Sequence, residues 1–207
     1  ELFISSASSG YSYAQYNLSR LYMIGDQYIP LNMKKAVNLL EDAADQNLDM
    51  AYYNLGFIYY NGWKGIKSNI KKATEYFKKC ADQFNADCQN YMGLIALNYN
   101  PPYIKENPYK WFELAAKQGL SEAIYNLGML YSTGYKDLDK NVPKAIEYYE
   151  KAANQGSILA NYNMGFHYVN GDGVKKDFKE AMRQYTIAAN MGLYHAQSNL
   201  GYYYSIG

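Results

Sequence analysis

The chain has 207 residues, with 20 Lys and Arg against 19 Asp and Glu and a net charge of +1. The charges are interspersed, which excludes a basic stripe for nucleic acid and an acidic solvating tail. No stretch approaches the roughly 20 apolar residues of a membrane-spanning helix, so direct membrane insertion by this segment is not expected.

In chain order, the run from Ser6 to Ala14 aligns with that from Ala152 to Ala160, so the sequence opens inside one repeat unit. It also stops inside one, and the expectation is a piece of a longer array. A pattern of Ala, Asn, Leu or Met, Gly, Tyr and Gly begins weakly at Ala14, with Ser19 at the first Gly position. It is complete at Ala51, Asn54, Leu55, Gly56, Tyr59 and Gly62, and weak again from Cys88 through Gly93. It returns at Ala123, Asn126, Leu127, Gly128, Tyr131 and Gly134, and at Ala160, Asn163, Met164, Gly165, Tyr168 and Gly171. The last copy is Ala196, Asn199, Leu200, Gly201, Tyr204 and Gly207. From Ser19 through Gly56, Gly93, Gly128 and Gly165 to Gly201 the spacings are 37, 37, 35, 37 and 36 residues. A fixed period in this range marks stacked supersecondary units. One repeat domain over residues 1–207 is expected, with units starting near 14, 51, 88, 123, 160 and 196.

Each unit reads as two antiparallel helices. Ala51, Leu55 and Tyr59 recur at helical spacing and form one apolar face. Gly56 costs about 1 kcal/mol in a helix interior, so its recurrence implies a neighbour too close for any side chain. Gly62, Gly134 and Gly171 end the first helices. The second helix runs through Lys144 to Ala153 in the fourth unit and ends on Gly156, matched by Gly119, Gly192 and Asn47. The third unit departs from the pattern, with Ala96 and Tyr99 at the Tyr and Gly positions and a loop from Asn98 to Pro108. Asn107 followed by Pro108 suits an N-cap and first helical residue, so a shortened second helix is predicted to start near Pro108.

The combination of Asn-Leu-Gly, Tyr, Gly, Lys-Ala, Tyr-Tyr, Lys-Ala-Ala and Gln-Gly resembles the Sel-one-like repeat, a relative of the tetratricopeptide repeat. The resemblance covers essentially the whole chain. It implies an all-α, right-handed superhelical α-solenoid of about five repeats plus partial repeats at both ends, acting as a platform for other proteins. Cys80 and Cys88 occupy a helix junction where other units have Ala at both positions, as in Ala43 with Ala51 or Ala152 with Ala160. They either form a disulfide or fill the site as two small reduced thiols. The cysteine-rich secreted branch of the family carries a cysteine pair at this separation. That resemblance favours the disulfide and an oxidising compartment such as the endoplasmic reticulum lumen, the periplasm or the exterior.

Chemistry-bearing motifs are few, and no cofactor or metal is expected. His167 and His195 lack a second ligand at helical spacing and read as surface or groove residues. Asp137, Asp139 and Asn141 begin like a calcium loop, but Val142 stands where Gly is needed. Gly171, Asp172 and Gly173 read as an interhelix turn, and no nucleophile motif is present. Asn17, Leu18 and Ser19 form a glycosylation sequon whose Asn is the structural Asn of the repeat. Most of the 26 tyrosines, including Tyr59, Tyr131, Tyr148 and Tyr168, are expected in the core.

If the Ala, Leu and Tyr positions face inward, positions two, six and nine residues after the Ala form a separate stripe on the first helix. It reads Tyr53, Phe57, Tyr60; Asn90, Leu94, Leu97; Tyr125, Met129, Ser132; Tyr162, Phe166, Val169; and Ser198, Tyr202, Ser205. Exposed aromatic patches mark interaction sites, and this stripe is the candidate concave groove for partner proteins or peptides. Its first position alternatively packs between helices. The expected function is a non-catalytic scaffold within a larger complex, such as an endoplasmic reticulum ubiquitin-ligase assembly or a secreted bacterial factor. The alternative implied by the resemblance is a β-lactam-binding or β-lactam-hydrolysing enzyme.

Overall fold

The computed structural model describes residues 2–99 and 104–205. Residues 100–103 of the third-unit loop and the final repeat position, Gly207, lie outside them. The described residues form twelve α-helices: α1 (Leu2–Ser8), α2 (Ser12–Ile24), α3 (Met33–Asp45), α4 (Asp49–Asn61), α5 (Ile70–Asp82), α6 (Ala86–Tyr99), α7 (Pro108–Lys117), α8 (Ser121–Thr133), α9 (Val142–Asn154), α10 (Ile158–Asn170), α11 (Phe178–Asn190) and α12 (Tyr194–Ser205). Among them β pairing is limited to isolated bridges, Trp63 with Ile66 and Tyr135 with Leu138. The fold is all-α. Within each repeat the helices pack as pairs, α2 with α3, α4 with α5, α8 with α9 and α10 with α11.

Local chemistry sets the helix ends. Second helices begin on a side-chain cap: Asn32, Asn69 and Asn141 each accept from the N–H three residues on, at 3.0, 3.1 and 3.1 Å, and Asp177 does so at 2.9 Å. Such a cap satisfies an N–H that the helix leaves unpaired and contributes about 1 kcal/mol. Asn107 accepts from Tyr109 N–H at 3.0 Å, and α7 starts at Pro108 as the sequence predicts. It has 10 residues against 13 for α5 and α9. The junction after each second helix needs a positive φ, which Gly119, Gly156 and Gly192 adopt at 87°, 88° and 92°. Asn47 takes 62° there and Phe84 takes 64°.

The mid-helix glycines are explained by close approach. A Cβ on Gly56 would lie 2.6 Å from the Phe77 ring, one on Gly128 2.6 Å from Tyr149, and one on Gly165 2.8 Å from Tyr185. In each case an aromatic ring of the second helix lies against the bare backbone of the first. In α2 Ser19 takes this place, fully buried, with its hydroxyl donating to Tyr16 C=O at 2.6 Å.

The chain divides into two compact units, Glu1–Trp111 and Phe112–Gly207. In the first, Leu40, Leu55, Ile58, Phe77, Met92 and Ile95 are fully buried around the Cys80–Cys88 disulfide, whose Cα atoms are 5.8 Å apart. The cysteine pair is therefore oxidised at the crossing where other units pack Ala on Ala. In the second, Phe112, Leu127, Tyr149, Met164 and Tyr185 are the large fully buried side chains. The tyrosines are less interior than the sequence suggests. Among the described residues Tyr52, Tyr59, Tyr131, Tyr149 and Tyr185 are buried, Tyr148 and Tyr168 are half-buried, and seven others are exposed, from Tyr11 to Tyr204. Their hydroxyls let them line surfaces with the ring edge packed and the oxygen in water.

Candidate interaction face

The first helices carry the stripe, and the two units are taken in turn. In the first unit Tyr53, Phe57, Tyr60, Leu94 and Leu97 are half-buried, and Asn90 is buried. The rings of α4 form a cluster with residues outside the stripe. Phe57 meets Trp63 edge-on at 5.8 Å and Tyr91 at 6.1 Å, and Tyr60 meets Tyr91 at 5.4 Å and Tyr99 at 6.0 Å. Edge-to-face pairs of this kind contribute about 0.5–1.5 kcal/mol beyond area burial, so these rings are at once a surface and part of the packing.

Tyr91 is a further departure of the third repeat from the pattern. It stands where other units carry the structural Asn, and its ring stacks on Phe77 at 4.5 Å with 2° between planes. Between the fourth and fifth repeats the equivalent pair is polar: Asn163 donates to the Tyr149 hydroxyl at 3.4 Å and to the Tyr125 hydroxyl at 3.2 Å. A tyrosine–asparagine hydrogen bond has been exchanged for a phenylalanine–tyrosine stack, which is why both positions differ together.

In the second unit Tyr125, Met129, Tyr162 and Ser132 are half-buried, Phe166 is 49% exposed and Tyr202 is 61% exposed, while Ser198 and Ser205 are exposed. Val169 is buried in the core with Tyr185 and Ala188 and does not reach the surface. Tyr125 and Tyr162 use their hydroxyls as acceptors for Asn163 and Asn199, at 3.2 and 3.5 Å. The first stripe position thus serves the packing between consecutive first helices.

The expectation for His167 is corrected. It is only 5% exposed and occupies the position of Ile58, Ile95 and Leu130. Its Nδ1 is 3.4 Å from Asp172 Oδ2 without a hydrogen bond aligned to it, and Lys140 Nζ donates to both carboxylate oxygens, at 2.9 Å to Oδ1 and 3.1 Å to Oδ2. Burial pushes its pKa below the ordinary value, Asp172 pulls it up, and Lys140 lowers it further. His195 is exposed.

Among the described residues, the groups with shifted pKa values are mostly tyrosines and paired charges. Burial raises the pKa of Tyr125 and Tyr149, and pushes Tyr185 up to about 12. The hydroxyls therefore stay protonated and act in hydrogen bonds rather than as nucleophiles. The lowered carboxyls are engaged: Asp26 accepts two backbone N–H groups, and Glu180 pairs with Arg183 at 2.6 Å. Among the described residues no group of three His, Cys, Asp or Glu could hold a metal ion, and no helix is long and apolar enough to cross a membrane. Sequence reasoning missed Trp63, Tyr91 and Arg20, all of which border the face. Arg20 was accessible by extending the stripe to the unit that begins at Ala14, where Tyr16, Arg20 and Met23 occupy its three positions.

No curated protein sequence matches the chain. Among solved structures it is similar to a Sel1 repeat protein from Oxalobacter formigenes, with 29% identity and a TM-score of 0.81 over 95% of this chain and 80% of that one. It is also similar to c5321, a protective antigen of uropathogenic Escherichia coli displaying an SLR fold, with 28% identity and a TM-score of 0.83 over 97% of this chain. The match spans 42% of the antigen's length. Immunity protein Pa5087 from Pseudomonas aeruginosa, 23% identical with a TM-score of 0.55 over 86% of this chain and 64% of its own, shares the fold alone. The Sel1 repeat pattern matches residues 12–48, 49–83, 109–120, 121–157, 158–193 and 195–207. The unmatched stretch between 83 and 109 is where Tyr91 and the proline loop break the repeat. With the helix pairs, the glycine–ring contacts and these matches in register, the chain belongs to the Sel1 repeat family.

Proposed function

We propose that this protein is a non-catalytic platform that binds polypeptide partners on the exposed faces of its first helices. The observation that carries the reading is that, in each unit, large side chains are left partly in water at repeat-equivalent positions: Phe57 and Leu94 in the first, Met129, Phe166 and Tyr202 in the second. Burying a ring that is half exposed in the free protein supplies the apolar core that stable interfaces need. Tyr53, Tyr60, Leu97, Tyr125 and Tyr162 flank these positions and stiffen them. The Sel1 repeat commonly serves as a protein-interaction scaffold, which supports the same reading. The Cys80–Cys88 disulfide supports folding in an oxidising compartment. Work inside a larger assembly, in the endoplasmic reticulum lumen, the periplasm or outside the cell, fits both features.

The test is selection of phage-displayed peptides on the wild-type protein, followed by binding measurements on Phe57→Ser and Phe166→Ser. Each variant is expected to lose about tenfold or more in affinity while far-UV circular dichroism stays unchanged. Undiminished binding in both variants would overturn the reading. A fall in thermal midpoint for Phe57→Ser alone assigns that ring to packing and leaves Phe166 as the test.

A further inference from the structure

The first unit contains a cleft of about 350 Å3 lined by Arg20, Met23, Ile24, Asn54, Trp63 and Lys64. Arg20 stands at the stripe position that holds Phe57, Leu94, Met129, Phe166 or Tyr202 elsewhere. One unit has thus replaced an apolar contact by a guanidinium. A second cleft of about 330 Å3, lined by Asn17, Arg20, Leu21 and Ile24, shares the Arg20 and Ile24 wall. Among the described residues no carboxylate lines either cleft, and neither Arg20 nor Lys64 makes an ion pair. Arg20 lies 6.0 Å from the Tyr16 ring centroid.

The opposite wall is held by its own backbone. Trp63 and Ile66 exchange two backbone hydrogen bonds of 2.9 Å, and Lys64 adopts a φ of 44° at the tip of this turn. Lys64 Nζ donates to Met23 C=O at 2.8 Å, near the C-terminus of α2, which fixes the ammonium beside the cleft with N–H groups to spare. Trp63 is 39% exposed and Ile24 is 69% exposed. Two cations without a counter-charge, a planar guanidinium suited to a carboxylate and an apolar wall therefore converge on one opening.

We infer that this cleft binds an acidic segment of a partner polypeptide: an Asp or Glu side chain between Arg20 and Lys64, and the neighbouring large apolar side chain against Ile24 and Trp63. This rests on the polypeptide-platform reading and assigns the chemistry of the partner at one end of the stripe. Removing the guanidinium leaves the carboxylate with a single cation beside Ile24 and Trp63, so the loss should be that of a well-oriented surface pair.

The probe is a positional-scanning library of hexapeptides, N-acetylated and C-amidated, with a parallel set ending in a free carboxylate, read by fluorescence anisotropy. The expected result is selection of Asp or Glu beside Phe, Trp or Leu. Arg20→Gln and Lys64→Gln should each weaken the best acidic peptide about three- to tenfold and leave its Gln analogue unchanged, with affinity falling as salt rises. Both side chains are exposed, and unchanged circular dichroism would show that the variants fold. Selection of apolar residues without acidic ones overturns this inference and leaves the platform standing. Selection of no peptide overturns both. Preference for the free C-terminus over an internal acid, or acid selection undiminished in Arg20→Gln, overturns the side-chain assignment.

Discussion

Replacing Gly128 by Ala adds one methyl group where the Tyr149 ring already lies 2.6 Å from the new carbon and Ala145 C=O lies 3.3 Å from it. Ordinary carbon contacts are about 3.5–4.0 Å, so the overlap with the ring is close to 1 Å. The ring cannot swing away cheaply: it is buried, its hydroxyl accepts from Asn163 at 3.4 Å, and Tyr125 lies 5.8 Å from its centroid. Overpacking of this kind costs about 1–3 kcal/mol, against about 1 kcal/mol gained from replacing a helical Gly by Ala. Gly201, at the same repeat position in α12, has nothing within 4 Å of its added Cβ. There Gly201→Ala keeps the helix gain without the clash, so it should stabilise α12 by up to about 1 kcal/mol. The helix term is common to both variants, and the difference between them, about 1–3 kcal/mol, isolates the cost of displacing the ring. Urea unfolding followed by circular dichroism measures the global effect. Hydrogen exchange in α8 and α12 reads each helix locally, since repeat arrays need not unfold in one step. Equal protection changes in the two variants, or a stabilised α8 in Gly128→Ala, would refute the argument.

Phe84 adopts a φ of 64° at the junction where Gly119, Gly156 and Gly192 stand, and its side chain is exposed. Phe84→Gly should therefore raise stability by about 1 kcal/mol, visible as a higher urea midpoint; a lower midpoint would show that the ring packs in solution. The Cys80–Cys88 bridge closes a separation of 8 residues, and loop-closure entropy gives it about 2.5 kcal/mol. The double variant Cys80→Ala, Cys88→Ala, which restores the small-residue crossing of the other units, should lose that amount in denaturant melts, with no loss counting against the entropic account. His167 has its pKa lowered in the folded state, so between that value and 6.5 the unfolded chain binds more protons and stability rises with pH. Above the unfolded value the contribution is complete, and below the folded value it is lost. His167→Leu, which matches Leu130, should flatten this acid limb in thermal midpoints taken across the range, and an unchanged pH profile would remove His167 as its source.

Helix pairing, the stops at Gly62 and Gly134, the late start of α7 at Pro108 and the crossing at Cys80 and Cys88 were all legible from spacing. Each depends on residues close in the chain or on a pattern repeated at one interval. The stripe was legible only in part. Phe166 and Tyr202 face water as their positions suggest, whereas Val169, three residues after Phe166, is turned into the core. Helical periodicity gives the angle of a side chain about its own axis, but it does not say how wide a sector the neighbours cover. Ala51, Leu55 and Tyr59 define one apolar direction. Tyr52, Gly56 and Ile58 are buried as well, because α4 packs against α3 and α5 on different sides.

What the sequence determined by itself was therefore the unit: its length, its two helices, the residues that end them and the glycines that demand a close neighbour. What only the tertiary structure decided was the environment of residues that depart from the pattern. His167 is buried because its position faces the core. Tyr91 stacks on Phe77 because a hydroxyl and an amide are missing together. Arg20 meets Lys64 and Trp63 across a cleft because α2 and the turn after α4, some 40 residues apart in the chain, come together only when consecutive repeats stack. A repeat period encodes the contacts that every unit makes in common, and the exceptional contacts arise from which exceptions folding places side by side.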